Sequence, residues 1–433
     1  MSIDRSRRLE GSLPGLFDEL ANARTPDYLE AAIERASSSP QRPTWTFPAR
    51  WLPMEIVTTR VPTARLPWRQ IGALALLVIV LGTMIALLVG SRSTQVPAPF
   101  GPAGNGVIGL GQSGDLYTVD PRTAQSKLLL GGPETDEWVG FTRDGTRGVF
   151  IRWGPDSGAM QAARVGTIAL SGDSPPVFVK KDIFHGGEPI QIAPNGREVA
   201  FSAYDYFMPT THISVAALDQ SSFRTFTDVP VVDSGGIDYL APDGRELVYL
   251  ALSSNGHTHD IRALDVTTGL TRPILKTPLG QDVFGDISAA PDGKHLAYAL
   301  KDATGAIAVH VIGTDGRGDR IVAHAPGATF EAWPQWDPQG DRLLIERADQ
   351  QGVAHPVVVD LKGAPDVVID ADISPNGAGK LWSPDGDSIL AQRTAGDGQQ
   401  LQQELWNVKT GTVTPVSWPS TTPPVWQRVA VGP

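Results

Sequence analysis

The chain reads as an all-β protein, a β-propeller of seven blades with six as the runner-up. A transmembrane helix and a short helical N-terminal segment precede it. Three observations predict this. A Pro-Asp-Gly-like turn returns every 46 to 51 residues, with turn glycines at Gly145, Gly196, Gly244, Gly293, Gly340 and Gly386. Residues 71–90 (IGALALLVIVLGTMIALLVG) hold no charged side chain. The two ends of the repeat region also complement each other: residues 105–130 lack an inner strand, and Val425–Val429 supplies one.

The repeat comes first. Each turn glycine follows an Asp, Asn or Gln, and Gly supplies the positive φ that closes a tight hairpin. An alternating strand follows at once, with Val199, Leu247, Leu296, Leu343 and Ile389 three residues past the glycine. Period two marks a half-buried strand. Turns such as Asp265-Val266-Thr267-Thr268-Gly269 then lead to an outer strand, so each repeat holds four strands. A unit of this size cannot bury both its faces alone and must stack on neighbours, as propeller blades do. The final strand, Val425–Val429, is expected to complete the first blade and remove the exposed edges.

The apolar run at 71–90 would rise about 30 Å as a helix, the thickness of a bilayer's hydrocarbon core. Arg60, Arg65 and Arg69 precede it and only Arg92 follows closely. The positive-inside rule therefore keeps the N-terminus in the cytoplasm and places the C-terminal part outside. Before the span, Leu13, Leu16, Phe17 and Leu20 draw one helical face, and Thr25-Pro26-Asp27 reads as the start of a second helix. This divides the chain into a cytoplasmic helical stub (1–39), a Pro-rich juxtamembrane linker (40–70), the span (71–90), a spacer (91–104) and an extracytoplasmic propeller (105–433). Residues 10–37 could hold a cytosolic partner.

Charge splits across the span. Residues 1–70 carry a net +2 and residues 105–433 a net −14. A body this acidic argues against nucleic acid as a partner. The chain has no cysteine, which excludes disulfides, thiolate metal sites and a Cys nucleophile.

The fullest repeat, Trp382-Ser383-Pro384-Asp385-Gly386, resembles the WD-type repeat of TolB-like propellers over residues 105–433. The resemblance implies a protein-binding or sensing scaffold. The layout, with Thr25-Pro26-Asp27-Tyr28-Leu29 and Arg42-Pro43-Thr44-Trp45 in the stub, is similar to membrane-anchored bacterial proteins, some anti-sigma factors among them. The zinc motif of those factors needs His and Cys, which residues 1–70 lack.

Such propellers also cap prolyl-oligopeptidase-type hydrolases, but the chain has no Gly-x-Ser-x-Gly elbow, phosphate loop or His-Glu-x-x-His. The expectation is a protein that is not an enzyme and needs no cofactor, with an exported glycan-active propeller as the alternative. Its binding face would lie on the loops between second and third strands and between blades. Trp153, Tyr204, Tyr206, Phe207, His212, His257 and His259 fall there, in company with His185, His324 and His355. Loop aromatics on a rigid scaffold suit a protein, peptide or glycan ligand. His257, His259 and Asp260 are a weak metal candidate, since two imidazoles and a carboxylate can hold a cation. The function expected is a single-pass membrane protein displaying a non-catalytic propeller for binding or sensing. A transmembrane signal regulator is the alternative.

Overall fold

The computed structural model describes residues 72, 76–77, 96–154, 161–179, 183–185, 190–205, 208–231, 236–254, 256–369, 381–394, 401–418 and 420–431. Met1–Ser91 and Arg92–Pro433 form two compact units. The expected stub and linker lie outside the described residues, as does most of the span. Gly72, Leu76 and Leu77 are helical, with both leucines exposed. Among the described residues no helix is long and apolar enough to cross a membrane.

From residue 96 onward the described residues form antiparallel strands in six sheets. The first holds, from inner to outer edge, Val425–Val429, Gly104–Gln112, Asp115–Val119 and Ser126–Leu130. Its inner strand comes from the end of the chain, with Gly104 opposite Val429 and Gly109 opposite Val425. The second runs Thr135–Phe141, Arg147–Trp153, Gln161–Ala169 and Val177–Phe178, with Ile183–His185 also on its third strand. The third is Ile190–Ile192, Glu198–Asp205, Met208–Ala217 and Phe223–Val231, and the fourth is Ile237–Tyr239, Glu246–Leu252, His259–Asp265 and Thr271–Leu275.

The fifth sheet has eight strands, in two four-stranded halves that begin at Asp282–Ala289 and Phe330–Trp336. One parallel bridge, Ile307 to Phe330, joins the halves. The sixth holds Ser388–Thr394, Leu401–Asn407 and Val413–Val416, with Trp382 bridged to Ile389 on its inner side.

Apolar clusters fill the spaces between successive sheets. Leu116, Trp138 and Phe150 join the first to the second, and Val149, Val165 and Phe201 join the second to the third. Leu344, Trp382 and Trp406 link the fifth to the sixth. Ile108, Leu110, Leu390 and Trp418 then link the sixth back to the first, so the arrangement closes on itself. Indoles reinforce the seams. Trp138 Nε1 donates to Leu110 O at 3.0 Å, Trp336 Nε1 to Ser288 O at 3.2 Å and Trp382 Nε1 to Gln335 O at 3.2 Å. Trp426, in register with the last two, breaks the series: its buried Nε1 has no hydrogen-bond partner among the described residues.

All six repeat turns form as the residue types require. Each turn glycine has a positive φ between 65° and 75°. Asp144, Asn195, Asp243, Asp292 and Asp385 each accept, through a side-chain oxygen, the backbone N–H two residues on. Where Gln339 replaces that residue, the buried Asp337 takes over and accepts the Asp341 and Arg342 N–H groups at 2.9 and 3.0 Å. The turns also touch their neighbours around the ring. A Cβ on Gly293 would lie 2.2 Å from Ala241 O, and Gln339 Nε2 donates to Asp385 O at 2.6 Å. Gln427 Nε2 donates to Gly145 O at 2.7 Å, and Asn105 Nδ2 donates to Asp385 Oδ2 at 2.8 Å.

The turn side carries one more element. Residues 96–103, within the expected spacer, pack against it. Arg143 Nε donates to Pro97 O at 3.0 Å, and Ala103 N donates to Pro384 O at 2.9 Å. The Arg428 guanidinium donates to Ala98 O at 3.2 Å and Gly101 O at 2.6 Å. Phe100 packs on the cluster between the third and fourth sheets. The hydrogen-bond partners of the segment thus stand on the sixth, first and second sheets, and Phe100 reaches the seam of the third and fourth.

Turn stacking yields a prediction. Gly293 and Gly411 share a φ of +68°, but nothing lies within 4 Å of a Cβ at Gly411. Gly411→Ala should therefore cost only the left-handed backbone term, about 1 kcal/mol. Gly293→Ala adds a clash with the neighbouring turn and should cost about 2 kcal/mol more. Urea unfolding of the two variants measures the difference, and equal losses would contradict turn-on-turn packing.

Candidate functional site

The segment 96–103 lies on the turn side, and the loops lie on the opposite side. The inner strands meet there, and two of them depart from regular pairing. In Asp282–Ala289 the register breaks between Phe284 and Ser288; in Phe330–Trp336 it breaks between Ala332 and Gln335. Bulges of this kind bend a strand and re-aim its side chains. Trp333 sits in the second bulge with φ +52°, an outlier for a bulky residue.

Three half-buried aromatic rings gather at these bulges. Phe284 and Phe330 meet edge to face with centroids 5.6 Å apart. Trp333 lies 5.8 Å from Phe284 and 4.9 Å from Phe330, tilted 54° to each. The indole edge rests on Gly285, where a Cβ would come within 2.6 Å of Nε1; only glycine fits beneath it.

Asp286 follows directly. Its carboxylate packs on Gly236, where a Cβ would lie 3.1 Å from Oδ1. Burial, and then the charge of Asp238, push its pKa above the ordinary carboxylate range. Asp238 itself is committed: Oδ1 accepts Tyr239 N at 2.9 Å and Oδ2 accepts Ala289 N at 3.0 Å. Among the described residues no hydrogen bond reaches Asp286.

The residues singled out in the sequence are placed differently. Trp153 is not in a loop: it ends the strand Arg147–Trp153, half-buried, and its indole donates to Glu137 Oε2 at 3.2 Å. It packs on the cluster between the second and third sheets, because that strand's alternation runs to its last residue. His212 lies within Met208–Ala217, opposite Ala203. Tyr204 lies in Glu198–Asp205 opposite Thr211, and Tyr206 and Phe207 lie outside the described residues. His257 is exposed just before the strand that His259 opens. These residues are spread over three consecutive sheets.

The metal candidate does not assemble. His259 and Asp260 are adjacent in a strand and project to opposite faces. His259 Nδ1 pairs with Asp282 Oδ1 at 2.9 Å, and Asp260 Oδ1 accepts Thr277 N at 2.9 Å. Among the described residues no group of three or more His, Cys, Asp or Glu side chains could hold a metal ion.

No protein-family model matches the chain, and no curated protein matches it. Solved structures do. A prolyl endopeptidase aligns with 15% identity and a TM-score of 0.52 over 75% of this chain, which spans 50% of that protein. An oligogalacturonate lyase from Vibrio parahaemolyticus aligns with 14% identity and a TM-score of 0.50, over 72% of this chain and 86% of that one. TolB from Acinetobacter baumannii aligns with 14% identity and a TM-score of 0.45, over 74% and 82%. At 15% and 14% identity the endopeptidase and the lyase show that the fold is shared, and nothing beyond the fold.

They also correct one expectation. The absence of a local catalytic motif was the ground for reading this protein as not an enzyme. A prolyl endopeptidase and a lyase share the propeller fold, so that ground does not hold. Groups that act together in a propeller can stand on separate strands, as the aromatic trio here does, and leave no short signature.

The Asp286 carboxyl predicts a pH dependence. An acid whose pKa is raised in the folded state binds its proton more tightly there, so stability falls as pH climbs from about 4 through the raised value. Asp286→Asn removes that loss. Its melting temperature should exceed the parent's by about 2 °C at pH 7, and the gain should vanish at pH 3. An equal difference at both pH values, or none, would contradict the assignment.

Proposed function

We propose that this protein is a single-pass membrane protein displaying a propeller outside the cytoplasm, where the loop side binds or senses a protein, peptide or glycan. The propeller is read as seven blades, with the eight-stranded sheet counted as two. The observation that carries the reading is the docking of residues 96–103 across the turn side. The chain thus enters the propeller at the side it covers and leaves the loop side open. The uncharged run 71–90, with three arginines before it and one after, supports an N-terminus in the cytoplasm.

The same docking favours a second reading, a transmembrane signal regulator with a layout resembling an anti-sigma factor. Arg143 and Arg428 clamp the entering segment to the ring, so a change in the propeller would reach the chain that leads to residues 10–37.

The natural absence of cysteine makes the placement easy to test. Ser38→Cys and the exposed Gln351→Cys each introduce one thiol. A membrane-impermeant maleimide applied to intact cells should label Gln351→Cys and reach Ser38→Cys only after lysis. Labelling of both, of neither, or in the reverse pattern would overturn the proposed topology.

A further inference from the structure

We propose that the turn side of the first two sheets is a docking surface for an anionic phospholipid bilayer. The inference rests on the single-pass reading above and deepens it, by naming the surface that this side of the ring faces.

Three observations converge, and the first is a basic patch on an acidic body. Arg122, Lys127, Arg143, Arg147 and Arg428 all stand at the turn-side ends of the first two sheets. Among the described residues none of the five pairs with a carboxylate. Lys127 Nζ donates to Leu170 O and Ser171 O, at 3.0 and 2.6 Å. Arg147 donates to Thr167 Oγ1 at 2.9 Å, and Arg143 and Arg428 donate to carbonyls of the segment 96–103. The carboxylates on the same side of these sheets are Asp120, Asp144 and Asp173, each turned to its own hairpin. Asp120 Oδ1 accepts Arg122 N at 2.8 Å, Asp144 Oδ1 accepts Thr146 N at 3.0 Å, and Asp173 Oδ1 accepts Ser171 Oγ at 2.7 Å. The patch keeps a positive excess, although residues 105–433 carry a net −14. An anionic surface attracts the patch and repels the rest of the body, which selects the side that faces it.

The second observation is an apolar groove on the same stretch of backbone. Val96, Pro97 and Ala98 line it together with Ala430 and Val431, and its volume is about 380 Å³. Val96 and Val431 are 47% and 66% exposed. Pro97 and Ala98 are also the residues whose carbonyls hold Arg143 and Arg428. Exposed aliphatic side chains next to unpaired cations match the interfacial layer of a bilayer, where acyl carbons meet phosphates. A free anion would meet the cations but would not use the groove.

The third is chain length. Only residues 91–95 separate the uncharged run 71–90 from Val96, and Arg92 among them adds a further positive charge. The six Cα steps from residue 90 to residue 96 reach about 20 Å at most. A bilayer crossed by that run therefore has its surface close to the segment that carries the groove and holds the arginines. Of the possible partners of the patch, it is the one the chain itself brings near.

The full chain in lipid nanodiscs tests the proposal, with one thiol introduced as Val431→Cys in the groove or as Gln351→Cys on the loop side. Each thiol carries an environment-sensitive dye, and the discs contain a lipid with a spin-labelled headgroup as quencher. In discs rich in phosphatidylglycerol, the label of Val431→Cys should be quenched at least about threefold more than that of Gln351→Cys. In phosphatidylcholine discs, or with Arg122→Glu and Lys127→Glu together, the excess should fall about twofold. Lys127 also holds two carbonyls, so Arg122→Glu alone, at an exposed side chain, is measured beside the pair and should lower the excess in the same direction. A chain that does not enter the discs would overturn the single-pass reading and this inference together. Entry with equal quenching at the two positions, or with an excess that neither lipid charge nor Arg122→Glu changes, would overturn the docking surface and leave the membrane placement standing.

Discussion

Pairing of Val425–Val429 with Gly104–Gln112 is the contact on which the rest of the propeller depends. Each sheet has two apolar faces, and each face is buried only by the next sheet around the ring. Without the last strand, the first sheet loses its inner edge. Ile108 and Leu110 then lose the neighbours that hold them against Leu390 and Trp418. The seam is polar as well as apolar. Asn105 and Asp385 exchange hydrogen bonds across it, and Gln427 binds both Val107 N and Gly145 O. The Trp426 indole, which finds no partner among the described residues, stands at this same junction.

Closure makes the two sides of the ring different. The turn side is short and uniform, because each hairpin is set by glycine φ and an Asx hydrogen bond, and each turn after the first leans on the one before. Residues 96–103 lie across it and are clamped by arginines from the first and second sheets. The Arg428 guanidinium, whose pKa is lowered by burial, is held by backbone carbonyls of that segment. On the loop side, connections vary in length, and the inner strands bulge where Phe284 and Trp333 meet. A rigid ring with one covered side and one variable side is a scaffold on which a site can be built at the open mouth.

The fold was largely legible in the chain because its signal is local. A turn glycine, an Asp or Asn before it and an alternating strand after it are all read within ten residues, and the structure places all six such turns as hairpins. Even the irregular Gln339 turn follows the same chemistry through Asp337. Closure was legible too, since an inner strand was missing at one end and spare at the other. The site was not. Phe284 and Phe330 come from inner strands of successive four-stranded halves, and bulges hide the positions from any period-two reading. Trp153 was misplaced because a strand ending and a loop beginning look alike in sequence. His259 drew notice as a ligand, yet it pairs with Asp282, a residue well separated along the chain.

The most direct test of the account is to end the chain after Pro424 and follow unfolding of the truncated protein in urea. If the final strand closes the ring, its loss should abolish the single cooperative transition and leave a protein that unfolds gradually or aggregates. A truncated chain with the parent's midpoint and slope would show that the propeller does not depend on closure, and would contradict the account at its base.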